Sequence, residues 1–250
     1  MDAIVVDHLS YRYQAAGKEI LKDISFKVSP GEIVALTGLS GCGKSTLCLC
    51  LGGIIPHLLG GDLTGRVLLN GKDTKVYKVA QLALEVGLVF QDPDTQLFAP
   101  AVEDEIAFAP ENICLPAKEV GRRVNEVLEM LGLSALRQEN PSHLSGGQKQ
   151  LVALGAVLAL DPGILVLDEV MAQLDSPARK KIRDILFDLR RNGKTILIVE
   201  HDLETASIAD RVLVLEEGLL IRDGQSANVL EEREFMIRHK LWFEDQSRIV

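Results

Sequence analysis

Gly38, Gly43, Lys44 and Ser45 stand at the spacing G-x-x-x-x-G-K-S, with Gly41 between them, inside the stretch "LTGLSGCGKSTLCLCLGG". A chain that only had to turn a corner would manage with fewer glycines, because each costs about 0.5–1 kcal/mol of backbone entropy relative to alanine. The excess points to a ligand that approaches the main chain closely. Phosphate is such a ligand: N–H groups along Gly38, Leu39, Ser40, Gly41, Cys42 and Gly43 can curl around its oxygens. Lys44 then reaches the phosphates as a point charge, the Ser45 hydroxyl can ligate Mg²⁺, and Thr46 can donate to another phosphate oxygen. The same amides and the helix end favour a thiolate, so Cys42 is expected to be reactive.

Two further groups carry chemistry. "ILVLDE" puts Asp168 and Glu169 at the C-terminal end of an apolar strand, where ligands of open α/β sheets bind. Beside a phosphate loop such an Asp holds Mg²⁺, and the adjacent Glu169 can act as general base toward water. The plainer alternative is a pair of acids capping the next helix. "LSGGQ" places Ser145, Gly146, Gly147 and Gln148 at the start of the helix "QKQLVALGAVLAL", a second cradle with amides and a positive helix end for phosphate.

The elements that must position these groups follow from periodicity. "IVVDHLSYRY", "ILKDISFKV" and "EIVALTG" read as strands, as do "GRVLLNG" and "VGLVFQ". Between about residues 93 and 160 the apolar spacing turns helical in "VEDEIAFAPEN", "AKEVGRRVNEVLEMLGL" and "SGGQKQLVALGAVLAL". "GILVLDE", "PARKKIRDILFDLRRNG", "KTILIVEH" and "DLETASIA" then alternate strand and helix, the signature of a parallel sheet, and "RVLVLEEGLLIRDG" reads as a hairpin. The fold class is therefore α/β: a phosphate-loop core with an antiparallel β subdomain and an inserted helical subdomain. Residues 1–225 form one nucleotide-binding unit on this reading, and 226–250 a charged helical tail.

The 250 residues are 47% apolar and 25% charged, ordinary for a globular protein. A formal net charge of −9 argues against a nucleic-acid partner. No apolar run reaches the eighteen or so residues of a membrane span, and "MDAIVVDHLS" lacks the basic and apolar regions of a leader. The four cysteines suit neither a zinc site nor a disulfide framework, and read as reduced thiols of a cytosolic protein.

The phosphate loop, "LSGGQ" and "ILVLDE", in that order, resemble the nucleotide-binding subunit of ATP-binding cassette (ABC) transporters, and the likeness runs from Tyr13 to about Gly224. It implies an ATPase that binds ATP and Mg²⁺ and pairs head-to-tail with a second such subunit, a copy or a paralogue, the signature of one meeting the phosphate loop of the other. It also implies roles for single residues. Tyr13 would stack on adenine, although Tyr11 shares its strand face and both could simply pack. Gln91 would sense Mg²⁺ and the membrane partner, Asp175 in "AQLD" would contact the other subunit, and His201 in "VEHD" would touch the γ-phosphate. Val170 departs from the family, which commonly has proline after the glutamate, and Cys42 stands where serine is frequent.

After Gln91, "DPDTQLFAPAVEDEIAFAPEN" resembles the ATPases of energy-coupling-factor transporters, which import vitamins or transition-metal ions. Gln96, Leu97 and Phe98 would line or support a groove for a helix of the transmembrane scaffold, with a substrate-capture membrane protein engaged indirectly. The expected location is the cytoplasmic face of the cell membrane. Soluble cassette proteins of DNA repair carry a long coiled coil between loop and signature, and ribosome-acting ones usually carry two cassettes; neither feature occurs here. Lys44→Ala is expected to abolish tight ATP binding or hydrolysis, and normal turnover by a folded variant would remove the phosphate loop from the mechanism.

Overall fold

Strands β3 (Ile33–Thr37), β7 (Ile164–Asp168) and β8 (Thr195–Val199) are buried at every position, as apolar runs without alternation require when both faces of a sheet are covered. In the computed structural model, which describes residues 1–14, 16–172, 174–200 and 203–241, they form the centre of a six-stranded sheet. Its order is β10 (Leu219–Gln225), β9 (Arg211–Glu216), β3, β8, β7, β6 (Val86–Val89). β3, β6, β7, β8 and β9 pair in parallel, and β10 closes one edge antiparallel to β9. The carboxyl ends of β3 and β7 therefore lie at one edge of the sheet, which brings the phosphate loop and Asp168–Glu169 to the same place.

β1 (Ile4–Arg12) and β2 (Leu21–Val28) alternate buried and accessible positions, the pattern of a sheet with one solvated face. With β4 (Asp62–Leu69) and β5 (Lys72–Asp73) they make a separate antiparallel sheet in the order β2-β1-β4-β5. β4 begins at Asp62, ahead of the expected start at Gly65, because Gly65 (φ 72°) sits where the β1–β4 register shifts. A Cβ there would lie 2.1 Å from the His8 carbonyl oxygen, so the glycine lets two backbones touch without ending the strand. The turns α2 (Ile54–His57) and α3 (Val79–Leu82), like β5, are too short for periodicity to announce them.

Three helices form in the segments with helical apolar spacing. α4 (Val102–Asn112), α5 (Ala117–Leu131) and α6 (Gly146–Leu158) pack on one another, α5 burying Val120, Val124, Val127, Leu128 and Leu131 at helical spacing. α7 (Ser176–Arg191) covers the parallel sheet with Ile182, Ile185, Leu186 and Leu189, and the turn α8 (Leu203–Ala206) precedes β9. The tail is helical in two pieces, α9 (Ser226–Glu231) and α10 (Arg233–Arg238), divided at Glu232; residues 242–250 lie outside the described residues.

The phosphate loop links β3 to α1 (Lys44–Leu51) and is held from behind by the β9–β10 turn. Gly218 donates its N–H to the Cys42 carbonyl (3.0 Å). Gly38 is packed so tightly that an added Cβ would lie 2.1 Å from the Leu215 carbonyl oxygen and 2.8 Å from Cys42 Sγ. Gly38→Ala is therefore expected to destabilise the chain by more than about 3 kcal/mol. Gly121→Ala, in α5 with nothing within 4 Å of its new Cβ, should instead stabilise by about 1 kcal/mol. Urea unfolding of both variants checks the pair; equal effects would contradict the packing described at Gly38.

Candidate functional site

A cavity of about 290 Å³ opens at the carboxyl edge of the parallel sheet, lined by Tyr13, Ile20, Ser40, Gly41, Gly43, Lys44, Ser45, Thr46, Gln91 and Glu169. Gly41 (φ 77°) and Gly43 (φ 114°) hold backbone conformations that side-chain-bearing residues rarely adopt. Lys44 is buried, and its Nζ donates to the carbonyls of Gly38 (2.9 Å) and Leu39 (3.1 Å). The ammonium is thus folded over its own loop, and a phosphate group would offer it stronger, charged acceptors than those two neutral ones.

β1 ends at Arg12, so Tyr13 leaves the strand and its environment parts from that of Tyr11. Tyr11 is 1% exposed and donates from its hydroxyl to the Gly60 carbonyl (3.0 Å), whereas Tyr13 is 48% exposed and lines the cavity. The two rings meet edge to face at 4.9 Å, and the Tyr13 hydroxyl lies 3.2 Å from Thr46 Oγ1. Of the two tyrosines, Tyr13 is the one that offers a ring face to a ligand above the phosphate loop.

Gln91 follows β6 and donates from Nε2 to Glu169 Oε2 at 2.6 Å, joining residues 78 positions apart. Glu169, directly after β7, has φ 52°, a left-handed conformation for a residue with a side chain, and its N–H donates to the Val199 carbonyl (3.0 Å). Such a backbone costs of order 1–3 kcal/mol and is kept where surrounding structure fixes it. Here the end of β8 and the residue after it hold the turn: Val199 accepts from Glu169, and Glu200 Oε1 accepts from Met171 N–H (3.3 Å) in the loop beyond Glu169. Asp168, the last residue of β7, is buried. The Ser45 hydroxyl, Gln91 amide and Asp168 carboxylate are hard oxygen donors on elements that converge here, and that chemistry fits Mg²⁺.

The remaining expected residues lie elsewhere. Ser145 caps α6, accepting Gln148 N–H at its Oγ (3.3 Å) while donating its own N–H to Gln148 Oε1 (3.0 Å). Gly146, Gly147 and Gln148 form the first turn, and none of the four lines the cavity. Asp175 caps α7, its Oδ1 accepting from Ala178 N–H (2.9 Å), so it already has a structural task within this chain. His201 lies outside the described residues. Leu39 and Cys42 line a neighbouring cavity with Ser40, Gly41, Arg238, His239 and Lys240.

Cys42 corrects its sequence reading. It is buried, and burial pushes its thiol above the ordinary range, outweighing the nearby Lys44 charge and the backbone amides that act in the other direction. Sequence reasoning weighed those amides and had no local sign of the burial that outweighs them, nor of the β9–β10 turn whose Gly218 N–H donates to the Cys42 carbonyl. It also missed Ile20, a cavity wall without any motif, and Glu200, whose buried carboxylate braces the loop after Glu169.

Residues 21–172 match the ABC transporter family, and the chain belongs to that family. It is 44% identical over 92% of its length to a putative ABC transporter ATP-binding protein of Methanosarcina mazei, and spans about two fifths (39%) of that relative. It is 42% identical, over 90% of its length and 80% of the relative's, to the energy-coupling factor transporter ATP-binding protein EcfA of Methanocaldococcus jannaschii. Among solved structures it is similar to cbiO1 of Clostridium perfringens, part of the ABC transporter complex cbiONQ, at a TM-score of 0.82, 33% identity and coverage of 98% and 96% of the two chains. It is similar too to the ATP-binding cassette MJ0796, a dimer in a post-hydrolysis state with ADP and Pi, at a TM-score of 0.79, 26% identity and coverage of 89% and 98%. The fold is that of an ABC ATPase, and no helix among the described residues is long and apolar enough to cross a membrane.

Because the Cys42 thiol is raised, its thiolate is scarce at neutral pH and its alkylation rate should climb with pH until above the ordinary thiol range. The exposed Cys114 should be modified first at pH 7. Peptide-resolved labelling checks this; equal rates at the two thiols at pH 7 would restore the reactive-thiolate reading.

Proposed function

We propose that this chain is the ATP-hydrolysing subunit of an energy-coupling-factor type importer, driving uptake of a vitamin or a transition-metal ion from the cytoplasmic face of the membrane. The observation that carries the ATPase part is the convergence of the glycine loop, Lys44, Tyr13, Gln91 and Glu169 on one cavity, with Gln91 and Glu169 in direct contact. The importer class is supported by the likeness to EcfA and to cbiO1.

In this reading residues 1–225 are the nucleotide-binding unit, 93–160 its helical subdomain and 226–250 a tail. Tyr13 stacks on adenine, the N–H groups of residues 38–43 surround the phosphates, and Lys44 and Thr46 bind the β and γ groups. Ser45, Asp168 and Gln91 would hold Mg²⁺, which would neutralise charge on the phosphate oxygens. Glu169, oriented by Gln91, accepts a proton from the attacking water as its oxygen bonds to the γ-phosphorus, and ADP departs. By the family resemblance His201, which lies outside the described residues, would contact the γ-phosphate.

Ser145 and the first-turn amides of α6 serve the nucleotide of a second cassette placed head-to-tail, with Asp175 contributing to that interface, and the dimeric state of MJ0796 supports the arrangement. ATP favours closure because only the closed pair joins one nucleotide to two chains. An apolar groove of about 280 Å³, walled by Phe90, Gln96, Phe98, Glu105 and Phe108, receives a helix of the membrane scaffold. Phe98 and Phe108 meet edge to face at 4.6 Å and are exposed, as rings awaiting a partner would be.

Glu169→Gln preserves size and most hydrogen bonding but removes the proton acceptor, a role worth about 10²–10⁴ in rate. The variant is expected to accumulate an ATP-bound dimer detectable by light scattering, while Asp168→Ala should lose metal-dependent binding or turnover. Adding Ser145→Arg, which fills the second cradle, should abolish the trapped dimer. Near-normal hydrolysis by Glu169→Gln would remove Glu169 from its role, and persistence of the dimer with Ser145→Arg would refute the head-to-tail arrangement.

A further inference from the structure

Ser145 and Gln91 belong to different nucleotide sites in the proposed dimer, Ser145 serving the partner's ATP and Gln91 this chain's own. The structure joins them through two side chains just beyond Ser145. Lys149 N–H donates to the Ser145 carbonyl (2.9 Å), so Lys149 and Gln150 ride on the same helix end as the cradle. Lys149 Nζ donates to Asp94 Oδ1 at 2.6 Å, and Gln150 Nε2 donates to the carbonyl of Phe90 at 3.1 Å, the residue next to Gln91.

The segment that receives them is braced internally. Phe90 N–H donates to Gln96 Oε1 (3.2 Å), and Asp94 N–H donates to Asp92 Oδ1 (3.0 Å). Residues 90–96 therefore respond as one piece to a pull on Asp94 or on the Phe90 carbonyl. Gln150 is buried, which shields its link to Phe90 from water; the charged link joins a Lys149 side chain that is 15% exposed to an Asp94 side chain that is 65% exposed, and it is a charge-assisted hydrogen bond.

We propose that Lys149 and Gln150 are positioning residues that couple the two nucleotide sites of the dimer through a single chain. Capture of the partner's phosphate at Ser145 draws on the start of α6, and through Asp94 and Phe90 it fixes Gln91 against Glu169 in this chain's own site. A ligand at one site then alters readiness at the other by a differential contact. The coupling rests on the head-to-tail reading above and adds to it the route between sites.

The purified full chain is assayed for ATPase rate against ATP concentration as wild type, Lys149→Met, Asp94→Asn and the exchange Lys149→Asp with Asp94→Lys. Wild type should show a Hill coefficient rising toward about 2, the number of sites, and each single variant should fall toward about 1. The exchanged pair should recover cooperativity, which a merely structural loss would not allow. Retained cooperativity in the single variants, none in the wild type, or no recovery on exchange would each overturn the coupling. Light scattering in the Glu169→Gln background separates the two readings. If the single variants no longer dimerise with ATP, the link serves assembly and the coupling is wrong. If Glu169→Gln without further change fails to dimerise, the head-to-tail reading fails and takes the coupling with it.

Discussion

A loop that surrounds phosphate with N–H groups must turn its carbonyls outward, and those carbonyls need partners or the loop cannot hold its shape. Here the outward side is supplied by protein: Gly218 donates to the Cys42 carbonyl, Lys44 takes the carbonyls of Gly38 and Leu39, and the Leu215 carbonyl abuts Gly38 with no room for a side chain. The arrangement of the six-stranded sheet serves that need. β3 runs between β8 and β9, so its carboxyl end emerges beside the turn that follows β9 and braces the loop, and beside β8, which leads into Glu200 and pairs on its other side with β7, the strand that ends in Asp168.

The helical segment adds a second layer of control. Its helices pack by an apolar stripe that fixes their orientation, while polar side chains make the connection to the core: Gln150 and Lys149 to the segment after β6, and Glu105, whose buried carboxylate accepts N–H groups from Phe98 and Ala99. Those hydrogen bonds shape both the approach to Gln91 and the groove walled by Phe98 and Phe108. One short stretch, residues 90–99, thus borders both the cavity lined by Gln91 and Glu169 and the apolar groove.

What could be read from sequence was what local rules decide. Fully apolar runs became central strands, apolar residues at helical spacings of three and four became α4, α5 and α6, and the glycine loop appeared between a strand and a helix as its spacing required. Tyr13 separated from Tyr11 only because β1 stops at Arg12, a detail that alternation does not carry. The reading of Cys42 failed for a related reason: its surroundings come from residues 216–218, far along the chain, and burial outweighed the neighbouring amides. Lys149 with Asp94, and Gln91 with Glu169, are pairings across 55 and 78 positions that no motif spacing encodes. His201 lies outside the described residues, and Asp175 has a capping task that the motif did not foretell.

The position of β3 has a bearing on how the chain is born. Its neighbours are Ile196–Val199 on one side and Arg211–Val214 on the other, so the strand waits for partners made long after it. At roughly 5–20 residues per second of synthesis, Leu36 spends on the order of ten seconds or more without Leu213 beside it. During that interval an apolar strand edge stands open, and the nascent loop lacks the backing that lets it grip a nucleotide. Capacity to bind should therefore arise late and abruptly as the hairpin emerges from the ribosome, and until then the growing chain depends on whatever shields its open strand from neighbours.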